Sequence, residues 1–197
     1  MAGYEITFHG KSAHAGNNPE DGANANLAAM AFALAAADCA DCADKTLGTT
    51  VNPGVIHGGT VANVIPDECR VVLDTRYWFD EHHEALDARL KELVAREWQP
   101  GVTQEMRMTT HSPAMPLSSD TKELVAKITE AAKLEGFEAD WVDAGGGSDG
   151  NHMAAMRVPV IDGCGPAGGE FHCDREFLRL DTVEERIRMI TRFLTRL

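Results

Sequence analysis

The sequence predicts an α+β fold in two parts, and three observations predict it. Four β-rich runs fall between residues 3 and 110, two helix-forming runs separate them, and the proline-bearing stretch 111–119 marks a change of pattern. Residues 3–9 alternate apolar and polar side chains as a half-buried strand should, and 10–22, rich in Gly, Asn and Pro, read as an ordered loop. Residues 23–37 are almost wholly Ala, Leu, Met and Asn without a breaker, which predicts a helix with a wide apolar face. Runs 49–56 and 69–77 follow as antiparallel neighbours joined through Gly58, Gly59 and Pro66. Asp80 opens a second helix with apolar positions at Leu86, Leu90 and Val94, ending near Pro100 and Gly101, and 103–110 alternate as a last strand.

The order is β-α-β-β-α-β, the split βαβ or ferredoxin-like arrangement, in which two helices cover one face of a four-stranded antiparallel sheet. This first domain spans residues 1–112. From 113 to 197 the pattern becomes a helix to about Leu134, a short strand at 139–142, a loop at 145–150, a short helix, an apolar strand at 158–162, a Gly-rich loop at 163–173 and a final helix over 182–197 capped by Asp181. Helices alternating with short apolar strands predict part of a parallel-sheet α/β domain, too few strands to be whole.

A chain of 197 residues, 44% hydrophobic, can bury one good core or two small ones. The 18 Lys and Arg against 31 Asp and Glu give a net charge of −13, which repels nucleic acid and anionic membrane, so small molecules or proteins are the expected partners. No apolar run approaches the ~20 residues of a membrane span, and residues 1–10 lack the features of a signal peptide, so a soluble, cytoplasmic protein is expected. Five cysteines, an odd number in a chain this size, predict reduced thiols rather than a disulfide framework.

Three segments carry chemistry. They are Gly10-Lys11-Ser12-Ala13-His14-Ala15-Gly16 with Pro19 and Gly22-Ala23-Asn24-Ala25; Gly58-Gly59-Thr60-Val61-Ala62-Asn63-Val64-Ile65-Pro66; and Gly145-Gly146-Gly147-Ser148-Asp149 with Gly165-Pro166 and His172. Any one alone is a weak signal, since each could be a turn or a loop histidine. In this order and spacing the chain resembles the zinc-dependent amidohydrolases and metallopeptidases of the acetylornithine deacetylase, succinyl-diaminopimelate desuccinylase and glutamate carboxypeptidase family. The resemblance spans nearly the whole chain and implies a dimerisation domain followed by the C-terminal part of the catalytic domain.

The resemblance implies a role for each candidate. His14, acting from the homodimer interface into the partner's site, would stabilise the tetrahedral oxyanion; read locally, it would only bond its own loop. Asn63 would present its amide to the substrate, or serve its own backbone as turn asparagines do. Gly145, Gly146, Gly147 and Ser148 would cradle the substrate carboxylate, while also forming a turn with Ser148 or Asp149 as N-cap. His172 would be the last ligand of a two-zinc centre, the remaining ligands and a glutamate base lying before the start of this chain. Zinc needs about four ligands, so one histidine is not a site.

Other clusters have structural explanations. Asp80, Glu81 and Glu84, beside His82 and His83, complement a helix N-terminus; Glu184 and Glu185 can pair with Arg186 and Arg188; Asp174 beside His172 spells H-x-D; and Cys39 with Cys42 is a lone C-x-x-C. The arginines that glutamate-specific members carry before the closing proline are replaced by Thr110, His111 and Ser112, so the resemblance leaves the substrate open. The reading is a portion of a hydrolase that cleaves N-acyl amino acids or small peptides, inactive alone. Its rival is a non-catalytic dimerisation or small-molecule-binding module.

Overall fold

The computed structural model describes residues 1–41 and 48–196, and Cys42 lies outside the described residues. The chain divides into two compact units, Met1–Ala114 and Met115–Leu197, the boundary falling within the proline-bearing stretch.

In the first unit the elements run β1 (Ala2–His9), α1 (Ala25–Ala37), β2 (Thr50–Gly58), β3 (Glu68–Arg76), α2 (Asp80–Val94) and β4 (Thr103–His111). The sheet order is β2-β3-β1-β4 with every pairing antiparallel, so β3 lies between the two strands that α1 connects. Alternation in β1 puts Tyr4, Ile6 and Phe8 fully inside, opposite Leu73, Val71 and Cys69 of β3. Both helices pack on this face. Buried Ala25, Ala28, Ala29, Phe32, Ala33 and Ala36 of α1 meet Leu86, Leu90 and Leu93 of α2 in one cluster. Phe32 joins Phe8 and Trp98 edge-on, with centroids 5.5 Å and 6.0 Å away. Burying each such ring contributes roughly 1.5–3 kcal/mol.

The opposite sheet face is polar. Glu5 accepts from Arg70 at 2.7 Å and from Arg107 at 2.8 Å, tying β3, β1 and β4 together across their outer side. The edge strand β2 contains Pro53, and its register with β3 shifts between Pro53 and Val55.

Helix α1 is apolar all the way round. Beyond its buried side, Leu27, Met30 and Leu34 are 46%, 47% and 72% exposed at i, i+3 and i+7, on a helix that packs beside β2, where Val55 and Ile56 are also exposed. A helix of this kind is usually covered on both sides.

The second unit holds α3 (Ser119–Leu134), α4 (Gly150–Ala155), the two-residue strands β5 (Gly168–Gly169) and β6 (Phe177–Leu178), and α5 (Asp181–Leu194). The side chain of Ser118 caps α3 by accepting from Thr121 N–H. The core is small: Ile128, Ala131 and Ala132 of α3, with Ala139 and Met189. The sequence reading is corrected at several places. Runs 139–142 and 158–162 form no strand, because neither pairs with another strand among the described residues, and Val142 stays 84% exposed. The only ladder of this unit among the described residues is β5–β6, which is antiparallel rather than parallel. Asp181 does not cap α5; it is the first helical residue and is held by Arg179. Of the expected Glu184 and Glu185 pairs, Arg188 takes Glu184, whereas Arg186 lies over the Phe137 ring at 5.2 Å.

No helix among the described residues is long and apolar enough to cross a membrane.

Candidate functional site

His14 and Asn63 are brought together by the backbone. Lys11 and Ala23 exchange amide and carbonyl at 2.9 Å each way, closing the loop between them. Gly10 is needed at its base, since a Cβ there would sit 2.1 Å from the carbonyl oxygen of Ala23. The turn after β2 then crosses the loop: Ile65 N–H donates to Ala13 O at 2.9 Å, Ala15 N–H donates to Asn63 O at 3.0 Å, and His14 bridges Val64. That turn begins at Gly59, whose φ of +80° favours glycine.

The His14 ring is exposed but oriented. Its Nδ1 accepts the amides of Gly16 and Asn17, both at 3.1 Å, so the proton sits on Nε2, the nitrogen free of the loop. The local reading of this histidine is therefore true of one nitrogen only, and the other remains available as a donor. Sequence reasoning missed the two amides; Gly16, two residues after His14, was the available signal. The side-chain amide of Asn63 is exposed and makes no hydrogen bond among the described residues; only its carbonyl serves the backbone.

Residues 145–148 and His172 belong to the second unit. Ser148 organises the first loop: its hydroxyl accepts from Gly150 N–H at 3.1 Å, and its own amide donates to Asn151 Oδ1 at 2.9 Å. It is Ser148 rather than Asp149 whose side chain bonds the start of α4, as Asp149 makes no capping bond. A Cβ on Gly145 or Gly146 would meet nothing within 4 Å, so packing within the chain does not call for glycine there.

His172 stands on the turn between β5 and β6, exposed, with φ +64°, and Glu170 in the same turn has φ +56°. Two non-glycine residues in the left-handed region cost of order 1–3 kcal/mol each and persist where the surroundings impose them. Glu170 is fixed by Arg175 at 2.6 Å and accepts the Cys173 thiol on its carbonyl at 3.1 Å. Asp174 follows His172, yet among the described residues no three His, Cys, Asp or Glu side chains converge to hold a metal. The residues present do not by themselves fit a zinc centre, which needs about four donors.

An imidazole oriented on a loop that is clamped to a four-stranded antiparallel sheet, with two helices on one face of that sheet, defines the first unit as an α+β domain. Residues 1–102 match the peptidase dimerisation domain, and the chain belongs to that M20 family. It is 28% identical over 199 residues to carboxypeptidase G2 of Pseudomonas sp. (strain RS-16), covering 98% of this chain and 46% of that protein. It is 30% identical over 164 residues to the indole-3-acetyl-aspartic acid hydrolase of Enterobacter agglomerans, covering 81% and 36%. The crystal structure of aminopeptidase PepT from Bacillus cereus ATCC 10987 superposes with a TM-score of 0.76 at 26% identity, over 98% of this chain and 50% of that one. The chain thus spans less than half the length of these two curated relatives.

Proposed function

We propose that this chain is part of a metal-dependent hydrolase that cleaves the amide bond of N-acyl amino acids or small peptides, and that it is inactive alone. Two of the relatives above are named as peptidases and one as the hydrolase of an acylated aspartic acid. The observation that carries the reading is the His14 imidazole, anchored through Nδ1 with its Nε2–H turned out of the loop. Attack of water on an amide carbonyl builds negative charge on its oxygen, and a donor fixed beforehand lowers the barrier without having to reorganise. Asn63, with its side-chain amide unengaged, is suited to hold the substrate's carbonyl or carboxylate, and the exposed loop at Gly146 and Gly147 to receive the free carboxylate on backbone N–H groups, the amide of Ser148 being taken by Asn151. His172 would be one ligand of a two-zinc centre completed by residues outside this chain.

Two copies pair through α1 and the edge strand β2 in this reading, since Leu27, Met30 and Leu34 leave α1 with exposed apolar side chains beside that edge, where Ile56 is exposed as well. His14 of one copy then serves the site of the other. We take the cytoplasm as the compartment on the odd cysteine count alone.

The test is an assay of the complete protein containing this chain against a panel of N-acyl amino acids and dipeptides, with zinc added or chelated. Chelator-sensitive hydrolysis supports the reading, and its absence across the panel rejects it. The second reading, a non-catalytic dimerisation or small-molecule-binding module, is favoured by the lack of a metal-ligand cluster among the described residues. Calorimetric binding of the same compounds without turnover would select it.

A further inference from the structure

A group of rings outside the candidate site converges where the two ends of the first unit meet. Met1 and Ser112 exchange reciprocal backbone hydrogen bonds of 2.8 Å. The Tyr77 hydroxyl shares its proton between the same two carbonyls, at 3.1 Å to Met1 and 2.8 Å to Ser112. Asp80 extends the clasp by accepting Ala114 N–H at 2.8 Å, at the residue where the first unit ends. Two histidines are built into this clasp. His83 of α2 stacks on Tyr77 with centroids 4.9 Å apart and planes 27° apart, and packs on His111 of β4 at 4.7 Å and 33°. On its edge, His83 Nε2 lies 3.1 Å from the hydroxyl of buried Tyr4, which donates to Asp87 at 3.1 Å.

We propose that the His83–His111 stack is an acid-opened latch on the joint between Met1 and Ser112. The inference does not depend on the hydrolase reading. The His83 imidazole packs between the Tyr77 phenol and the tilted His111 ring, and the three rings hold the end of β4. Protonating both rings places like charges 4.7 Å apart between centroids, with the Tyr4 hydroxyl already committed to Asp87.

The groups facing the stack are Tyr4 of β1, Tyr77 after β3, Asp80 and Asp87 of α2, His111 of β4, and the Met1 amine with Asp74 and Arg76 beside it. Their sum works against protonation of His83. Burial first, then the charge of His111, holds its pKa below the ordinary imidazole value, with Asp87 and Asp80 opposing. Burial keeps the Tyr77 phenol protonated by raising it to about 12. With the folded pKa depressed, the unfolded or opened chain binds more protons below about pH 6.5, so the closed joint is fully favoured above that pH and loses ground as pH falls through it.

The test is hydrogen exchange of the full chain, followed at Ser112 and the last amides of β4, and corrected for intrinsic rates. The expected result is opening more populated near pH 5.5 than near pH 7.5, by up to about tenfold for one imidazole that titrates only when the joint opens, with Val71 in mid-sheet unchanged. His83→Phe keeps a flat ring and removes the buried titrating group, and should cut that ratio to less than about twofold; His111→Phe removes only the like charge, leaves the burial of His83 in place, and should lower the ratio without abolishing it. Equal protection at both pH values in the wild type overturns the latch, as does a ratio that survives in His83→Phe. Histidine NMR titration of the wild type gives a check that needs no variant. A His83 midpoint below the ordinary imidazole value of about 6.5 supports the latch, and a midpoint at or above that value overturns the proposal.

Discussion

His14 and Val64 face each other across an isolated antiparallel bridge, flanked by the Ala15-to-Asn63 and Ile65-to-Ala13 hydrogen bonds. Two loops distant in sequence are thereby stitched into one platform, and the imidazole is held on it by the amides of Gly16 and Asn17. A group held in this way acts by position, and removing it should affect rate more than affinity.

On the proposed hydrolase reading, His14→Ala in the complete protein should lower kcat by on the order of 10²-fold with little change in KM. The stronger check is a mixed dimer, one subunit carrying His14→Ala and the other His172→Ala. If His14 acts across the dimer, one of the two sites keeps both residues and activity is about half of wild type. Activity no higher than that of either single variant would mean that His14 acts within its own subunit.

The isolated chain should not turn over N-acyl amino acids with zinc supplied, because His172 alone leaves most of the coordination to water. Hydrolysis that appears with zinc and vanishes with a chelator would show that Asp174, Glu170 or another acid completes a centre.

Leu34→Glu should leave the fold intact, since Leu34 is 72% exposed. It should weaken dimerisation by about tenfold or more if the α1 strip is the interface. Sedimentation across a concentration series reads this directly, and an unchanged dimer would move the interface elsewhere.

Acid stability should depend in part on Glu5. Hydrogen bonds from Arg107 and then Arg70 hold its carboxyl below the usual carboxylate value. With the folded pKa depressed, its stabilisation is complete above about pH 4.5 and is lost as pH falls through the folded value. Glu5→Gln should flatten that acid limb in thermal melts taken between about pH 5 and pH 3. An unchanged slope would show that the network contributes nothing measurable.

The first unit was legible because its signals are local. Alternation in β1, the breaker-free run of α1 and the Pro and Gly residues between elements place most boundaries within a few residues, whereas α2 stops at Val94, six residues short of the Pro100 and Gly101 expected to end it. The apolar runs 139–142 and 158–162 carry the same local signal, but a strand exists only with a partner, and partners are not written in the run itself. Side-chain fates were legible only where the competitor was nearby. Glu184 finds Arg188 one turn on, whereas Arg186 is taken by Phe137, and His83, which looked like one of a surface cluster, is drawn under Tyr77. The identity of the His14 loop could be read from its motif. The assignment of the ring's two nitrogens could not, because it rests on the course of the backbone at Gly16 and Asn17.

Pro53 has a consequence for what happens when many copies crowd together. It removes one N–H from the edge strand β2, and the register shift beside it interrupts the ladder. An incoming strand therefore finds only a short, interrupted run of donors and acceptors, enough to anchor one neighbour but a poor template for stacking without end. An edge flanked by so much exposed aliphatic surface would otherwise invite fibrils, and a single ring in the chain guards against that outcome.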